Sequence, residues 1–236
     1  MEERNLELTP RKEEIKDCSN VVVKFEIDEI KQHYQESVDE IEKQCSIALE
    51  LINCGKQEQA ENIWRAQVVF LESAFDFYLH EVTKYCLSKI FDGYWKATKK
   101  YNNMDVKMEI VHKVIKSAQD SAWFLNYIND YYKEVTMVSF SSFKEQMNLL
   151  GLEVKAIADK VFYEIGETEK TISKLKRRLN ELYDRRNIIA HQFDRKHSNA
   201  VKKEISECVV KDFINDMTKI VDAINYAVIK HPCNIA

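Results

Sequence analysis

The sequence contains little glycine and proline, with only four Gly and two Pro among 236 residues. Strand-rich folds need a turn about every ten residues, and turns depend on Gly, Pro, Asn and Asp. The scarcity of the first two therefore favours long helices. A chain of this length with 45% hydrophobic residues can bury a sizeable core and is expected to form one domain, or at most two. We therefore expect an all-α protein.

Other missing features exclude further classes of protein. The chain has no run of 18 apolar residues, so we expect no membrane-spanning helix and no membrane partner. The polar N-terminus lacks the apolar segment of a signal peptide, which predicts a cytoplasmic protein. The six cysteines form no C-x-x-C pair, which indicates reduced thiols rather than disulfides or a zinc site. No Gly-rich nucleotide-binding loop is present, and we expect neither a cofactor nor a metal.

Charge is distributed unevenly along the chain. The net charge is −4, but the segment from Lys170 to Lys203 carries +8 and leaves −12 on the rest. A concentrated basic stretch on an acidic protein is a candidate phosphate-facing surface. Taken alone, such a run is more simply interpreted as a solvated helix face.

Apolar residues recur at intervals of three and four, which is the helical period. This pattern predicts long helices over about Asp28–Asn53, Gln57–Phe91 and Ser206–Lys230 and a basic helix that starts near Thr168. The centre of the second helix, Ala66–Leu79, is apolar on most sides and predicts the central helix of the core. Several shorter helices are expected between Met104 and Glu164, with breaks at Phe140–Ser142 and Gly151, and a loop is expected from Gln192 to Ile205. We expect a polar tail at 1–20, an N-terminal helix at 21–55 that packs on the core, and a helical domain at 56–236.

The basic helix contains an apolar seam that one charged residue interrupts. The seam is formed by Ile172, Leu175, Leu179, Leu182, Ile189 and Phe193. Arg186 occupies the step where the repeat predicts a Leu, and such local inconsistencies tend to mark functional sites. Its guanidinium keeps its charge and must find an acid, a phosphate or water.

His191 follows Arg186 near the expected end of the same helix. Asn187 and His191 lie one turn apart on a shared face, whereas Arg186 is rotated by about 140° from His191. Arg186 and His191 can therefore meet only if the helix ends here or if they come from two chains related by symmetry. On its own, His191 is more simply interpreted as a histidine that caps a helix end.

Arg186-Asn187-Ile188-Ile189-Ala190-His191 resembles the R-polar-x-x-x-H signature of the HEPN superfamily. With Arg185 it looks like the RRN-x-IAH version found in HEPN families linked to RNA toxins and phage defence. The resemblance covers roughly Ile63 to Val228 and includes the helix that carries Glu72. It implies a HEPN-like bundle of long antiparallel helices that forms a homodimer with two motifs around one cleft. The predicted N-terminal helix lies outside the resemblance and is an addition to that bundle.

The resemblance also implies an activity, which is metal-independent endonuclease cleavage of RNA by a toxin or antiviral-defence effector. The RNA 2′-hydroxyl would attack its own phosphate, while His191 moves protons and Arg186 stabilises the developing charge. Asn187 would orient His191 or a phosphate oxygen, and Glu72 would position Arg186. Expected partners are an RNA substrate and an inhibitor or antitoxin protein. Weaker candidates for RNA binding are Arg178, Arg185, Arg195 and Lys196.

Two alternatives remain open at this point. The first is a non-catalytic HEPN-like module that binds RNA or protein, and the second is a structural oligomer in which Arg186 forms an interfacial salt bridge. One departure from the family pattern concerns control. Phe193 stands where some HEPN toxins carry a Tyr that a partner nucleotidyltransferase modifies, which puts that form of inhibition in doubt.

Overall fold

The computed structural model describes residues 22–116 and 122–231. Over these residues the chain forms nine helices and no strand, which confirms the prediction of an all-α fold. The helices are α1 (Ile27–Asn53), α2 (Gln57–Phe91), α3 (Lys99–Asn102), α4 (Met108–Lys116), α5 (Trp123–Tyr132), α6 (Phe140–Leu150), α7 (Val154–Phe162), α8 (Thr171–Gln192) and α9 (Glu207–Ile229). The expected tail at 1–20 lies outside the described residues. No described helix is both long enough and apolar enough to cross a bilayer.

Helix α2 is the centre of the bundle, as its apolar sequence predicts. It packs against α1, α8 and α9, and against α5 and α6 among the shorter helices. Its buried side chains include Val68, Leu71, Phe75 and Leu79, none of which is exposed to solvent. Helix α1 packs along α2 and α9, where the Tyr34 hydroxyl lies 3.4 Å from Thr218 Oγ1. The core therefore joins all four long helices.

Helices α2 and α8 run antiparallel, which two ion pairs establish directly. Arg65 on α2 bonds Asp194 just beyond the end of α8, and Glu72, about two turns further along α2, bonds Arg186. As the residue number rises along α2 from Arg65 to Glu72, the number of the bonded residue falls from Asp194 to Arg186, so the two helices run in opposite directions. This register places the Arg186–His191 segment beside the N-terminal half of α2.

The structure corrects the predicted break at Phe140–Ser142. These residues open α6 instead, because Ser139 caps the helix by accepting a hydrogen bond from the Ser142 backbone N–H at 3.3 Å. The break at Gly151 is confirmed, since this residue ends α6 in the left-handed conformation with φ 77°. Helix α8 begins at Thr171, three residues later than predicted.

The predicted apolar seam of α8 is buried only in its middle. Leu175, Leu179 and Leu182 are fully buried, whereas Ile172 in the first turn is 37% exposed and Phe193 is 59% exposed. Phe193 leaves the repeat because it is the C-cap residue, with a left-handed φ of 51° that turns it away from the helical path. On α9 the helical repeat also predicts that Val209 lies on the apolar face, and this prediction is wrong. That residue is 38% exposed and Val210 is buried in its place.

Candidate active site at the C-terminal end of α8

Arg186 is fixed in place by two neighbours within its own chain. Its Nε donates a hydrogen bond of 2.9 Å to Glu72 Oε2, and its Nη1 donates one of 2.9 Å to Asn187 Oδ1. The Arg186 side chain remains 29% exposed, whereas that of Glu72 is only 1% exposed. Nη2 of Arg186 has no partner in the described part of the chain. The guanidinium is therefore held from one side and offers a donor group from the other.

The Arg186 guanidinium in turn stabilises the charged form of the buried Glu72 carboxyl. Burial raises the pKa of the Glu72 carboxyl, the charge of Arg186 lowers it, and the nearby Asp76 raises it. Glu72 Oε1 has no hydrogen-bond partner among the described residues. Arg186 therefore compensates a charge that α2 buries at the centre of the bundle.

Glu72 supplies within the same chain the counter-charge that Arg186 needs in the apolar seam. An unpaired Arg there would be strongly destabilising and would favour a dimer in which a second chain relieves it. The ion pair removes that argument for a dimer. The geometric argument is unchanged, because α8 continues without interruption to Gln192. Arg186 and His191 therefore stay about 140° apart on one helix.

His191 lies exposed in the last turn of α8. Its side chain makes no hydrogen bond or ion pair with any residue in 22–116 or 122–231. Asn187 lies one turn before it on the same face and accepts the hydrogen bond from Arg186, so Asn187 links the two sides of the helix. The imidazole is therefore accessible to a bound molecule, and its removal would break no hydrogen bond or ion pair of the described fold.

Asp194 is a buried residue of this region that the sequence analysis missed. Its side chain is fully buried, and its Oδ2 accepts hydrogen bonds from Arg65 Nε at 2.9 Å and from Arg185 Nη2 at 2.7 Å. Arg65 Nη2 also donates to the Lys203 carbonyl oxygen at 2.9 Å. Two guanidiniums therefore converge on a single carboxylate oxygen directly beyond His191.

The Asp194 backbone closes the end of α8. Its φ of 60° is left-handed, its N–H donates to the Ile188 carbonyl at 3.2 Å, and its carbonyl accepts from the Lys203 N–H at 2.8 Å. An Asp in a polar loop is usually solvated, so the loop sequence gave no signal of this role. The one available signal was Arg65, which interrupts the apolar α2 much as Arg186 interrupts α8.

The four weaker RNA-binding candidates divide into two pairs. Arg178 bonds both Asp216 and Glu181, and Arg185 bonds Asp194, so acids of the same chain already engage these two. Burial lowers the pKa of Arg185, the charge of Asp194 raises it, and that of Arg65 lowers it. Arg195 and Lys196 lie exposed in the loop after α8, where Arg195 Nη1 donates to the Ala200 carbonyl at 2.7 Å. Part of the charge of the basic segment is thus neutralised within the fold.

Residues 23–230 match the family model described as RiboL-PSP-HEPN. The chain belongs to this HEPN family. The match confirms the resemblance to the HEPN superfamily, and it also includes α1, which precedes the stretch on which that resemblance was drawn. Comparison with curated proteins and with solved structures gave no match.

Around the end of α8, this HEPN domain brings Arg186, Asn187 and His191 together with the buried acids Glu72 and Asp194. Across the described ranges, no three His, Cys, Asp or Glu residues are arranged to hold a metal ion. The groups that face solvent at the end of α8 are a cation and an imidazole. A guanidinium can bind a phosphodiester and an imidazole can move a proton, but on one helix these two groups point apart.

Proposed function

We propose that this HEPN domain is a metal-independent endoribonuclease, acting as an RNA-targeting toxin or antiviral-defence effector in the cytoplasm. HEPN domains are often ribonucleases. The observation that carries the proposal is the way in which the side chains of Arg186 and His191 are engaged. Arg186 is held by the buried Glu72 with Nη2 left available, while His191 is exposed and unengaged among the described residues.

The reaction needs only groups that the RNA and this motif supply. The 2′-hydroxyl oxygen forms a bond to the adjacent phosphorus, and the bond from phosphorus to the 5′-oxygen breaks. The products are a 2′,3′-cyclic phosphate and a 5′-hydroxyl. His191 accepts the 2′-hydroxyl proton, and the leaving oxygen takes a proton from water or from a second imidazole. Arg186 stabilises the additional negative charge on the phosphate oxygens, and Asn187 keeps Arg186 oriented.

A homodimer would bring the groups of the motif together. Because Arg186 and His191 diverge on one helix, a two-fold axis near the end of α8 would place Arg186 of each chain toward His191 of the other. Two guanidiniums and two imidazoles would then line one solvated cleft suited to a phosphate. An inhibitor or antitoxin protein that covers this cleft would switch the enzyme off.

A second candidate function is a non-catalytic module that binds RNA or protein. The pairing of Arg186 with Glu72 favours it, because this ion pair gives Arg186 a structural role that needs no RNA. The two candidates differ in the role of His191. The endoribonuclease needs its imidazole to move protons, whereas a module held together by the ion pair alone does not require it.

Incubation of the purified protein with total RNA in excess EDTA tests the proposal. We expect cleavage by the wild type and by His197→Ala, which removes an exposed histidine from the following loop, and none by His191→Ala. RNA that is bound but left intact would support the module. Cleavage that stops with chelator and returns with Mg²⁺ would contradict the proposed chemistry.

A further inference from the structure

Phe193 is an aromatic residue held in an exposed position two residues after His191. It ends α8 with a left-handed φ of 51° and is 59% exposed. Helices that end in this conformation usually place Gly or Asn there, because a Cβ is unfavourable at positive φ. A bulky aromatic at such a position is uncommon, and backbone outliers of this kind cluster at functional sites. The ring therefore needs an explanation other than the packing of the core.

A lysine from the loop that follows α8 supports the Phe193 ring. Lys202 Nζ lies 4.6 Å from the centre of the ring, within the range of a cation–π contact. The same Nζ donates a hydrogen bond of 2.9 Å to Glu58 Oε1 in the first turn of α2, and the Lys202 side chain is only 15% exposed. The ring is therefore tied to α2 through one face, while more than half of the residue stays open to solvent.

The loop that carries Lys202 turns back tightly on itself. Arg195 and Lys202 form an antiparallel bridge, and the Lys196 N–H donates to the Val201 carbonyl at 2.9 Å. The same turn holds the exposed side chains of Arg195 and Lys196 directly after Phe193 and the buried residue that follows it. Because Arg and Lys are common ligands of RNA phosphates, four consecutive residues offer an aromatic ring and two cations to the same strand.

We propose that Phe193 stacks against a nucleobase of single-stranded RNA bound at the end of α8. Every nucleobase has a flat π face, and aromatic side chains are the usual platform for unpaired bases in RNA-binding proteins. The base lies against the exposed surface of the ring, away from the face that Lys202 supports. Arg195 and Lys196 contact phosphates of the same strand.

The position of Phe193 makes this base a neighbour of the cleaved bond. Two peptide units separate the Cα atoms of His191 and Phe193, so these atoms are at most about 7.6 Å apart. A nucleotide stacked on Phe193 therefore lies beside the phosphate that His191 serves, and the ring orients the strand for cleavage. This role in cleavage rests on the proposed function, whereas the stacking requires only that the protein binds single strands.

Binding of strands that cannot be cleaved by the full chain tests the inference. The ligand is a short 2′-fluoro adenosine strand, which has no 2′-hydroxyl to attack, and its counterpart is an abasic strand with the same number of phosphates. Phe193→Gly removes the ring and suits the left-handed backbone, so the thermal midpoint should change little. Phe193→Trp keeps a stacking surface. Phe70→Ala is the control, since Phe70 is 50% exposed on α2 and is rotated by about 160° from Glu72.

We expect Phe193→Gly to bind the adenosine strand about tenfold more weakly than the wild type does, because stacking of one base on an aromatic ring contributes affinity of this order. Binding of the abasic strand depends on phosphates alone and should be unchanged. Phe193→Trp and Phe70→Ala should bind both strands as the wild type does.

Three results would overturn the inference. The first is an adenosine strand that the wild type does not bind or that Phe193→Gly binds equally well, and the second is an equal loss for both strands. The third is a change in the sedimentation of Phe193→Gly, since the ring would then belong to an interface between chains. No bond is cut in these experiments, so the result is independent of whether the protein is a ribonuclease.

Discussion

Glu72 and Arg186 form an ion pair, and each charge compensates the other in apolar surroundings. The carboxylate is almost completely buried, and the guanidinium occupies a step of an apolar seam. Replacing Arg186 by Ala would leave a buried charge without a partner, which costs about 3–5 kcal/mol when a buried pair is broken. The single variant would therefore confuse a loss of chemistry with a loss of fold. The double variant Arg186→Ala with Glu72→Gln removes both charges and separates the two effects.

Glu72 predicts a specific dependence of stability on pH. Because burial raises the pKa of Glu72, the folded protein retains this proton to a higher pH than the unfolded chain does. The contribution of this group to stability is therefore fully present below its ordinary pKa of 4.5 and is lost as the pH rises through the raised value. Glu72→Gln should remove that loss, so its free energy of unfolding should decline less than that of the wild type above about pH 4.5.

Urea unfolding at a series of pH values between about 4.5 and 8 measures this difference. Glu50→Gln, at an exposed site of α1, provides the control and should follow the wild type. Parallel profiles for wild type and Glu72→Gln would show that the carboxyl titrates alike in the folded and unfolded chains.

At the scale of the element, the carboxylate of Asp194, just beyond α8, holds the C-terminal end of this helix through Arg65 and Arg185. Asp194→Asn keeps the size of the side chain and tolerates the left-handed backbone, but it removes the carboxylate that Arg65 and Arg185 share, so that Arg185 loses its acidic partner and Arg65 keeps only Glu61. We expect a loss of about 3–5 kcal/mol in the free energy of unfolding. Amide hydrogen exchange should also accelerate from Ile188 to Asp194, where the backbone bond that closes the helix is made.

The matched variant for this test is Asp184→Asn, which removes an exposed carboxylate from the same helix. It should change stability by no more than about 0.5 kcal/mol. If Asp194→Asn were as mild as Asp184→Asn, the buried cluster would not be what holds the helix end.

Sequence patterns located the helices but not the pairs between them. The span of α2 and the seam Leu175–Leu182 follow from a repeat of three and four residues, which is local information. The bond between Arg65 and Asp194 joins residues 129 positions apart, and that between Arg186 and Glu72 joins residues 114 apart. Composition shows that a buried charge needs a partner, but the partner's identity depends on the register of two helices.

The motif at the end of α8 could be located from the sequence because its six residues are contiguous. Its geometry was predictable only in part. The divergence of Arg186 and His191 follows from helical rotation, whereas the hydrogen bond from Arg186 to Asn187 depends on the rotamers of both side chains. The burial of the Glu81–Lys84 ion pair on α2 had no sequence signal, because a Glu and a Lys three residues apart usually form a solvated pair on a helix surface.

At the scale of the whole molecule, activity should depend on dimerisation. We expect sedimentation and RNA cleavage, measured over one dilution series, to lose the dimer and the activity together. The double variant Arg186→Ala with Glu72→Gln should still dimerise, because the two charges that it removes pair with each other within each chain, but it should no longer cleave. A fully active monomer would contradict the shared cleft, and so would a dimer whose interface lies far from Arg186.

The most direct measurement follows a single phosphodiester in a defined RNA oligonucleotide, in EDTA, with the wild type and with His191→Ala. We expect the wild type to leave a 2′,3′-cyclic phosphate and a 5′-hydroxyl, and to leave the bond intact when the 2′-hydroxyl beside it is replaced by hydrogen. His191→Ala should lower the rate by about 10² or more while the thermal midpoint stays close to that of the wild type. Cleavage of the 2′-deoxy bond at an undiminished rate, or full activity of His191→Ala, would contradict the assignment of the motif as a ribonuclease site.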